Sequence, residues 1–110
     1  MIQKRLINWE KTGKMLRLLR CDNINLRRNV CKELSMQLKK GHICKATNCD
    51  NCILELDNQI SQAELAEVMG VSDSVITNWE NGRSIPTLED LLLYADLCKM
   101  DLQQILIFEN

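Results

Sequence analysis

Proline occurs once and glycine four times in the 110 residues of this chain, and only four residues are aromatic. So few turn formers argue against the many tight turns of a sandwich or barrel. Trp9, Trp79, Tyr94 and Phe108 cannot fill a core alone, so Leu, Ile, Val and Met must do so. No run approaches the roughly 18 apolar residues of a membrane span. The opening "MIQKRLINWEKTGK" is basic but has no apolar stretch behind it, so it does not read as a secretory signal. These absences favour one small all-helical domain, or one and a fraction, in the cytoplasm and without a membrane partner.

Positive charge is scarce in one half of the chain. Residues 46–110 hold two Lys/Arg, Arg83 and Lys99, against twelve Asp/Glu. Residues 1–45 hold twelve against three, so the net charge of −1 averages a basic half with an acidic one. A basic half suits a polyanionic partner, and on its own it fits a solvated face as well.

Histidine is confined to His42, whereas cysteine occurs at Cys21, Cys31, Cys44, Cys49, Cys52 and Cys98. In a reducing compartment such cysteines are metal ligands, redox groups or core residues rather than disulfides. Three of them and His42 crowd into "GHICKATNCDNC", residues 41–52.

Periodicity then divides the chain. Residues 1–11 read as an N-terminal arm. Thr12 caps a first helix, "TGKMLRLLR", at 12–20. A second runs over about 26–39, where Leu26, Val30, Leu34 and Leu38 recur every four residues. Arg27, Arg28, Lys32 and Lys39 lie off that stripe. They and Lys40 read either as a solvated face or as contacts to a nucleic-acid backbone. Gly41 ends the helix, and residues 41–58 show neither helical nor strand periodicity. A loop of that length in a small domain calls for a function or an internal staple.

Beyond it the signals sharpen. Ser61 and Glu64 form an S-x-x-E capping box, with Leu65, Ala66 and Met69 as the buried face and Gly70 as the stop. Ser72 caps "DSVITNWEN", whose apolar set is Val75, Ile76 and Trp79. Pro86 and Thr87 introduce "LEDLLLYADLCKM", and Asp101 caps a last helix, "LQQILIF". Two short helices joined at Gly70-Val71-Ser72 need a small residue at their crossing, Ala66. They also need one tolerant of positive φ, Gly70, and apolar pins on the second helix, Val71, Ile76 and Trp79.

From Ser61 to Leu106, and most of all at "WENGR" with Pro86, the sequence resembles the Xre/Cro family of bacterial and phage helix-turn-helix repressors. "TGKMLRLLR" looks like that family's first helix. The resemblance implies an all-α, lambda-repressor-like fold of five family helices, here with an additional inserted helix. It implies double-stranded DNA as partner and a major-groove recognition helix at 72–81. On that pattern Asp73, Ser74 and Asn78 fall where side chains meet base edges, with Thr77 beside them. Asn78 suits adenine, and Asp73 suits a cytosine amino group. Gln62 falls at a phosphate-clasping helix start, and Ser72, Asn81 and Arg83 at phosphate-contact positions. The resemblance also implies an internal ion pair between Arg20 and Glu80.

One departure stands out. Arg20 and Gln62 are separated by 41 residues, where family members have a short turn. The expected organisation is therefore an arm at 1–11, a helix-turn-helix domain at 12–20 and 59–110, and an insertion at 21–58. The insertion holds Cys31, Cys44, Cys49 and Cys52 in the spacing C-x12-C-x4-C-x2-C. Two thiolates of a C-x-x-C chelate one ion from a tight turn. Cys44 is near enough to join, and Cys31 would tie the loop to the basic helix. Four thiolates suit a closed structural zinc, with a four-cysteine iron–sulfur cluster as the lesser reading. Cys21 and His42 are held in reserve, and Cys98 reads as core. Buried or free thiols, or a regulatory Cys49–Cys52 dithiol, remain open.

Enzymatic chemistry has no foothold. There is no histidine-centred triad, Gly-rich phosphate loop or convergent carboxylate pair, and the C-x-x-C lacks a βαβ setting. The expectation is a sequence-specific transcriptional regulator, in the repressor mould, dimeric on a palindromic site. Its pairing surface is expected on the last helix, where Leu106, Ile107 and Phe108 need cover. An interaction adaptor on the same fold and a metal- or redox-sensing regulator are the alternatives.

Overall fold

The computed structural model describes residues 4–37 and 59–109. They form six helices: α1 Trp9–Asp22, α2 Ile24–Gln37, α3 Gln62–Met69, α4 Asp73–Glu80, α5 Leu88–Cys98 and α6 Leu102–Ile105. Among the described residues the only β pairing is a single antiparallel bridge between Ile7 and Phe108. The all-α expectation holds, and α2 covers most of the helix expected at 26–39.

Helix α1 begins three residues before the expected Thr12 cap. Asn8 caps it instead, its side-chain oxygen accepting from the Lys11 amide at 2.9 Å. Thr12 is fully buried, and its hydroxyl accepts from the Ile107 amide at 3.0 Å. Both residue types suit an N-cap, and the apolar pattern starting at Met15 does not choose between them. The choice comes from the C-terminal segment, which needs a buried partner for its backbone.

That segment is a second departure. The last helix stops at Ile105, and Leu106 turns to extended backbone. The Asn8 amide donates to the Ile107 carbonyl at 2.7 Å, and the Glu109 amide to the Leu6 carbonyl at 2.8 Å. The Arg5 guanidinium lies 3.9 Å from the centre of the Phe108 ring, a cation–π contact. Leu106, Ile107 and Phe108, expected to be covered by a second copy, are half-buried, with Ile107 and Phe108 held by the chain's own N-terminal segment.

Asn23 joins α1 to α2. It follows the last turn of α1, and its side-chain oxygen accepts from the Leu26 amide at 2.8 Å. Leu26, Val30 and Leu34 are buried as the stripe predicts, while Leu38 and Gly41 lie outside the described residues. Arg27 departs from expectation: it is 1 % exposed. It shares the core-facing side with Val30 and Leu34, three and seven residues on. Its Nη2 donates to the Cys21 carbonyl at 3.0 Å, in the last turn of α1 where carbonyls lack helical partners. Arg27 therefore belongs to the core, and only Arg28 and Lys32 of the described cluster are exposed.

One core unites the helices. Leu16, Leu19, Leu26, Val30, Ile60, Leu65, Ile76, Trp79, Tyr94 and Ile105 form its centre. Tyr94 from α5 donates its hydroxyl to the Leu16 carbonyl of α1. Cys98 lies in the same core, and burial pushes its thiol up to about 12. Cys31 packs half-buried against it from α2. No helix among the described residues is long and apolar enough to cross a membrane.

Candidate nucleic-acid interface

Helices α3 and α4 meet as the turn chemistry requires. Ser61 accepts from the Glu64 amide, and the Glu64 carboxylate accepts from the Ser61 amide, both at 3.0 Å. This box fixes where α3 starts. Gly70 ends the helix at φ 73°, a conformation that side chains with a Cβ rarely adopt. The Val71 amide returns to the Ala66 carbonyl at 3.1 Å, closing the turn. Ser72 then takes the extended N-cap conformation of α4. Its hydroxyl lies 2.9 Å from that of Ser74 rather than on a backbone amide.

The inner face of α4 is pinned by buried Ile76, Trp79 and Glu80. Helix α1 crosses it at Gly13. A Cβ there would fall onto the Trp79 carbonyl oxygen and 2.8 Å from that of Glu80. Only a glycine lets the two backbones approach so closely.

The predicted ion pair is present. Arg20 Nε donates to Glu80 Oε2 at 2.7 Å, and Nη2 to Oε1 at 3.0 Å. The bonded carboxylate raises the Arg20 pKa. Arg20 Nη1 also donates to the Ile60 carbonyl at 2.7 Å, just before α3. This guanidinium thus ties α1, the entry to α3 and the end of α4 together.

The expected contact residues divide into two sets. Ser72, Asp73, Ser74, Asn81 and Arg83 are exposed, at the start of α4 and just after it. Gln62, Thr77 and Asn78 are half-buried. Gln62 Nε2 donates to Glu80 Oε1 at 3.0 Å, and Gln62 Oε1 accepts from the Thr77 hydroxyl at 2.7 Å. Gln62 and Thr77 are therefore joined to the ion pair, a link that residue spacing did not reveal. The Asn78 carbonyl accepts from the Arg83 amide at 2.9 Å, which seats Arg83 beside the end of α4.

The exposed strip of α4 carries Asp73 and no basic residue. Charge of the opposite sign lies on α1. Arg17, one turn beyond Gly13, is exposed next to the α1–α4 crossing, and Lys14 is exposed on the same helix with Glu10 3.9 Å away. Arg28 and Lys32 on α2, the charge that the sequence offers, are exposed as well. The available signal was Gly13, whose close approach puts α1 rather than α2 against α4.

Of the four proposed metal ligands, only Cys31 falls among the described residues; Cys44, Cys49 and Cys52 lie outside them, as does His42. Among the described residues no three His, Cys, Asp or Glu side chains are grouped to hold an ion.

The helix-turn-helix family matches the chain over residues 55–105. No curated protein and no solved structure matches it. The capped α3, the glycine turn and the pinned α4 all lie within that match. Over that range the chain matches a DNA-binding regulatory helix-turn-helix of the Xre, lambda-repressor-like type.

Proposed function

We propose that the chain is a sequence-specific repressor of transcription that reads double-stranded DNA with α4. The observation that carries this reading is the division of that helix. Ile76, Trp79 and Glu80 fix one face in the core, while Asp73, Ser74, Thr77 and Asn78 lie along the other. Rigid presentation of short polar side chains is what base-edge recognition needs. Asn81 and Arg83 flank the strip as phosphate contacts, and Lys14 and Arg17 supply positive charge from α1. Selection from random duplexes tests the reading. One sequence class should be enriched, with affinity falling steeply as salt rises. No enrichment and no salt dependence would leave the fold as a protein adaptor, a role that the acidic balance of residues 46–110 also fits.

A palindromic operator and a homodimer go with this proposal. Ile85, Leu88 and Leu92 leave an apolar strip that starts two residues after Arg83. Pairing two copies across it would bring both recognition helices to one side of a duplex. Leu88→Lys should then yield monomers in sedimentation velocity.

The insertion, residues 21–58, is proposed to close around zinc through Cys31, Cys44, Cys49 and Cys52. Four thiolates form a closed tetrahedral set, so the ion would brace structure rather than react. The spacing supports this, as does the seating of Cys31 against the core by α2. Elemental analysis should find one zinc per chain, lost in Cys49→Ser. If iron were found instead, the cluster reading would replace zinc. If DNA affinity changed on metal removal while the helices stayed folded, the site would be a sensor.

A further inference from the structure

The polarity of the Thr77 hydroxyl is decided from inside the protein. The Glu80 carboxylate offers only acceptors, and it already takes two donors from Arg20. The amide of Gln62 must therefore turn its NH2 group toward Glu80, as it does at 3.0 Å. The opposite flip would set an amide oxygen against a carboxylate oxygen. Gln62 Oε1 is thereby aimed at Thr77, 2.7 Å away. An amide oxygen only accepts, so Thr77 must donate. The other inward neighbour of this hydroxyl is the Asp73 carbonyl, 3.1 Å away and also an acceptor. The shorter bond, to Gln62, holds the single hydroxyl hydrogen inward, whereas the Asp73 carbonyl already serves the helix and is the weaker holder.

What Thr77 has left for a ligand is an oxygen lone pair and a methyl group. We infer that Thr77 is a one-way reader, accepting from a base amino group and unable to donate, with Gln62 and Glu80 as the positioning residues that enforce this. The inference rests on the sequence-specific reading above. In the major groove the amino groups are adenine N6 and cytosine N4, whereas guanine O6 and thymine O4 need a donor. Thr77 thus selects adenine or cytosine on the strand it faces. Asp73, one turn earlier on the same strip, is acceptor-only as well. The two form an acceptor stripe along α4, beside Ser74 and Asn78, which carry donors as well as acceptors.

Two arms test this. In duplex selection, one position of each half-site should divide the bases by amino against keto character, not as purine against pyrimidine. That position should lose its preference in Thr77→Val and show a weaker one in Gln62→Leu, a residue that need not touch the base, where only the longer contact to the Asp73 carbonyl restrains the hydroxyl hydrogen. The second arm uses the unaltered protein. Replacing the selected adenine by purine, or cytosine by pyrimidin-2-one, removes only the amino group. Affinity should fall roughly five- to tenfold, the worth of one hydrogen bond, and the loss should vanish in Thr77→Val. A purine/pyrimidine division, an unchanged preference in a folded Gln62→Leu, or full affinity without the amino group would each overturn the inference alone. A wild-type protein that enriches no duplex would overturn it together with the sequence-specific reading.

Discussion

Arg20 and Glu80, sixty residues apart in sequence, meet through two hydrogen bonds of 2.7 and 3.0 Å at the junction of α1 and α4. Both side chains are mostly withdrawn from water, at 12 % and 3 % exposure. Removing one partner of such a pair strands the other charge, a larger effect than the net value of the pair itself. Arg20→Met should therefore cost about 3 kcal/mol in urea unfolding. The double variant Arg20→Met with Glu80→Met should recover most of that loss, because no buried charge is left unmatched. A double variant no more stable than the single one would show that the bond to the Ile60 carbonyl matters more than the ion pair.

Gly13 sets the spacing of the same two helices. A methyl group there meets backbone carbonyls, which cannot swing aside as a flexible side chain would. Gly13→Ala should destabilise the chain by about 2 kcal/mol, the usual scale of overpacking. Its helix propensity alone would predict a gain of about 0.5–1 kcal/mol. Thermal melting decides between the two signs.

How much of this was legible in the sequence varies element by element. The capped start of α3 and the glycine turn follow from local spacing, since each depends on residues a few positions apart. The Arg20–Glu80 pair is legible only through resemblance, because nothing local links residues sixty positions apart. The start of α1 is ambiguous in the sequence because Asn8 and Thr12 are both good caps. The end of α6 is ambiguous too, because "LQQILIF" is apolar enough for a helix or for extended pairing. Only the N-terminal segment, distant in sequence, decides both. Arg27 looks like surface in the sequence because charge normally is, yet its position beside Val30 takes it inward to a helix end. The Gln62–Thr77 link depends on how α3 and α4 cross, which no one-dimensional pattern encodes.

Cys98 gives the fold an alkaline weakness. Burial raises its thiol to about 12, from an ordinary value of 9. Tyr94, also in the core, is raised well above its ordinary 10, first by burial. A raised acid group keeps its proton in the folded state after the unfolded chain has lost it. Stability is then full below about pH 9 and falls as pH rises toward the folded values, by up to about 1.4 kcal/mol per pH unit for each group. Chemical denaturation across pH 8–10 should show the decline. Cys98→Val should flatten its onset near pH 9 and leave the tyrosine part above pH 10.

Arg17 and Asn78 should respond in opposite ways if α1 supplies the charge and α4 the reading. Arg17 is exposed beside the α1–α4 crossing, and Asn78 lies on the polar strip of α4. A phosphate contact is blind to sequence, so Arg17→Ala should weaken every duplex alike. It should also reduce the slope of log affinity against log salt by about 1. Asn78→Ala should leave that slope in place and narrow the gap between best and random duplexes, by about 1–3 kcal/mol for a lost bidentate contact. Measuring both variants on two duplexes at several salt concentrations separates the effects. A salt slope unmoved by Arg17→Ala would take α1 off the phosphate backbone and return the search for positive charge to Arg28 and Lys32 on α2. Those two stand on α2, so a slope that dropped with their replacement would make that helix part of the DNA-binding surface.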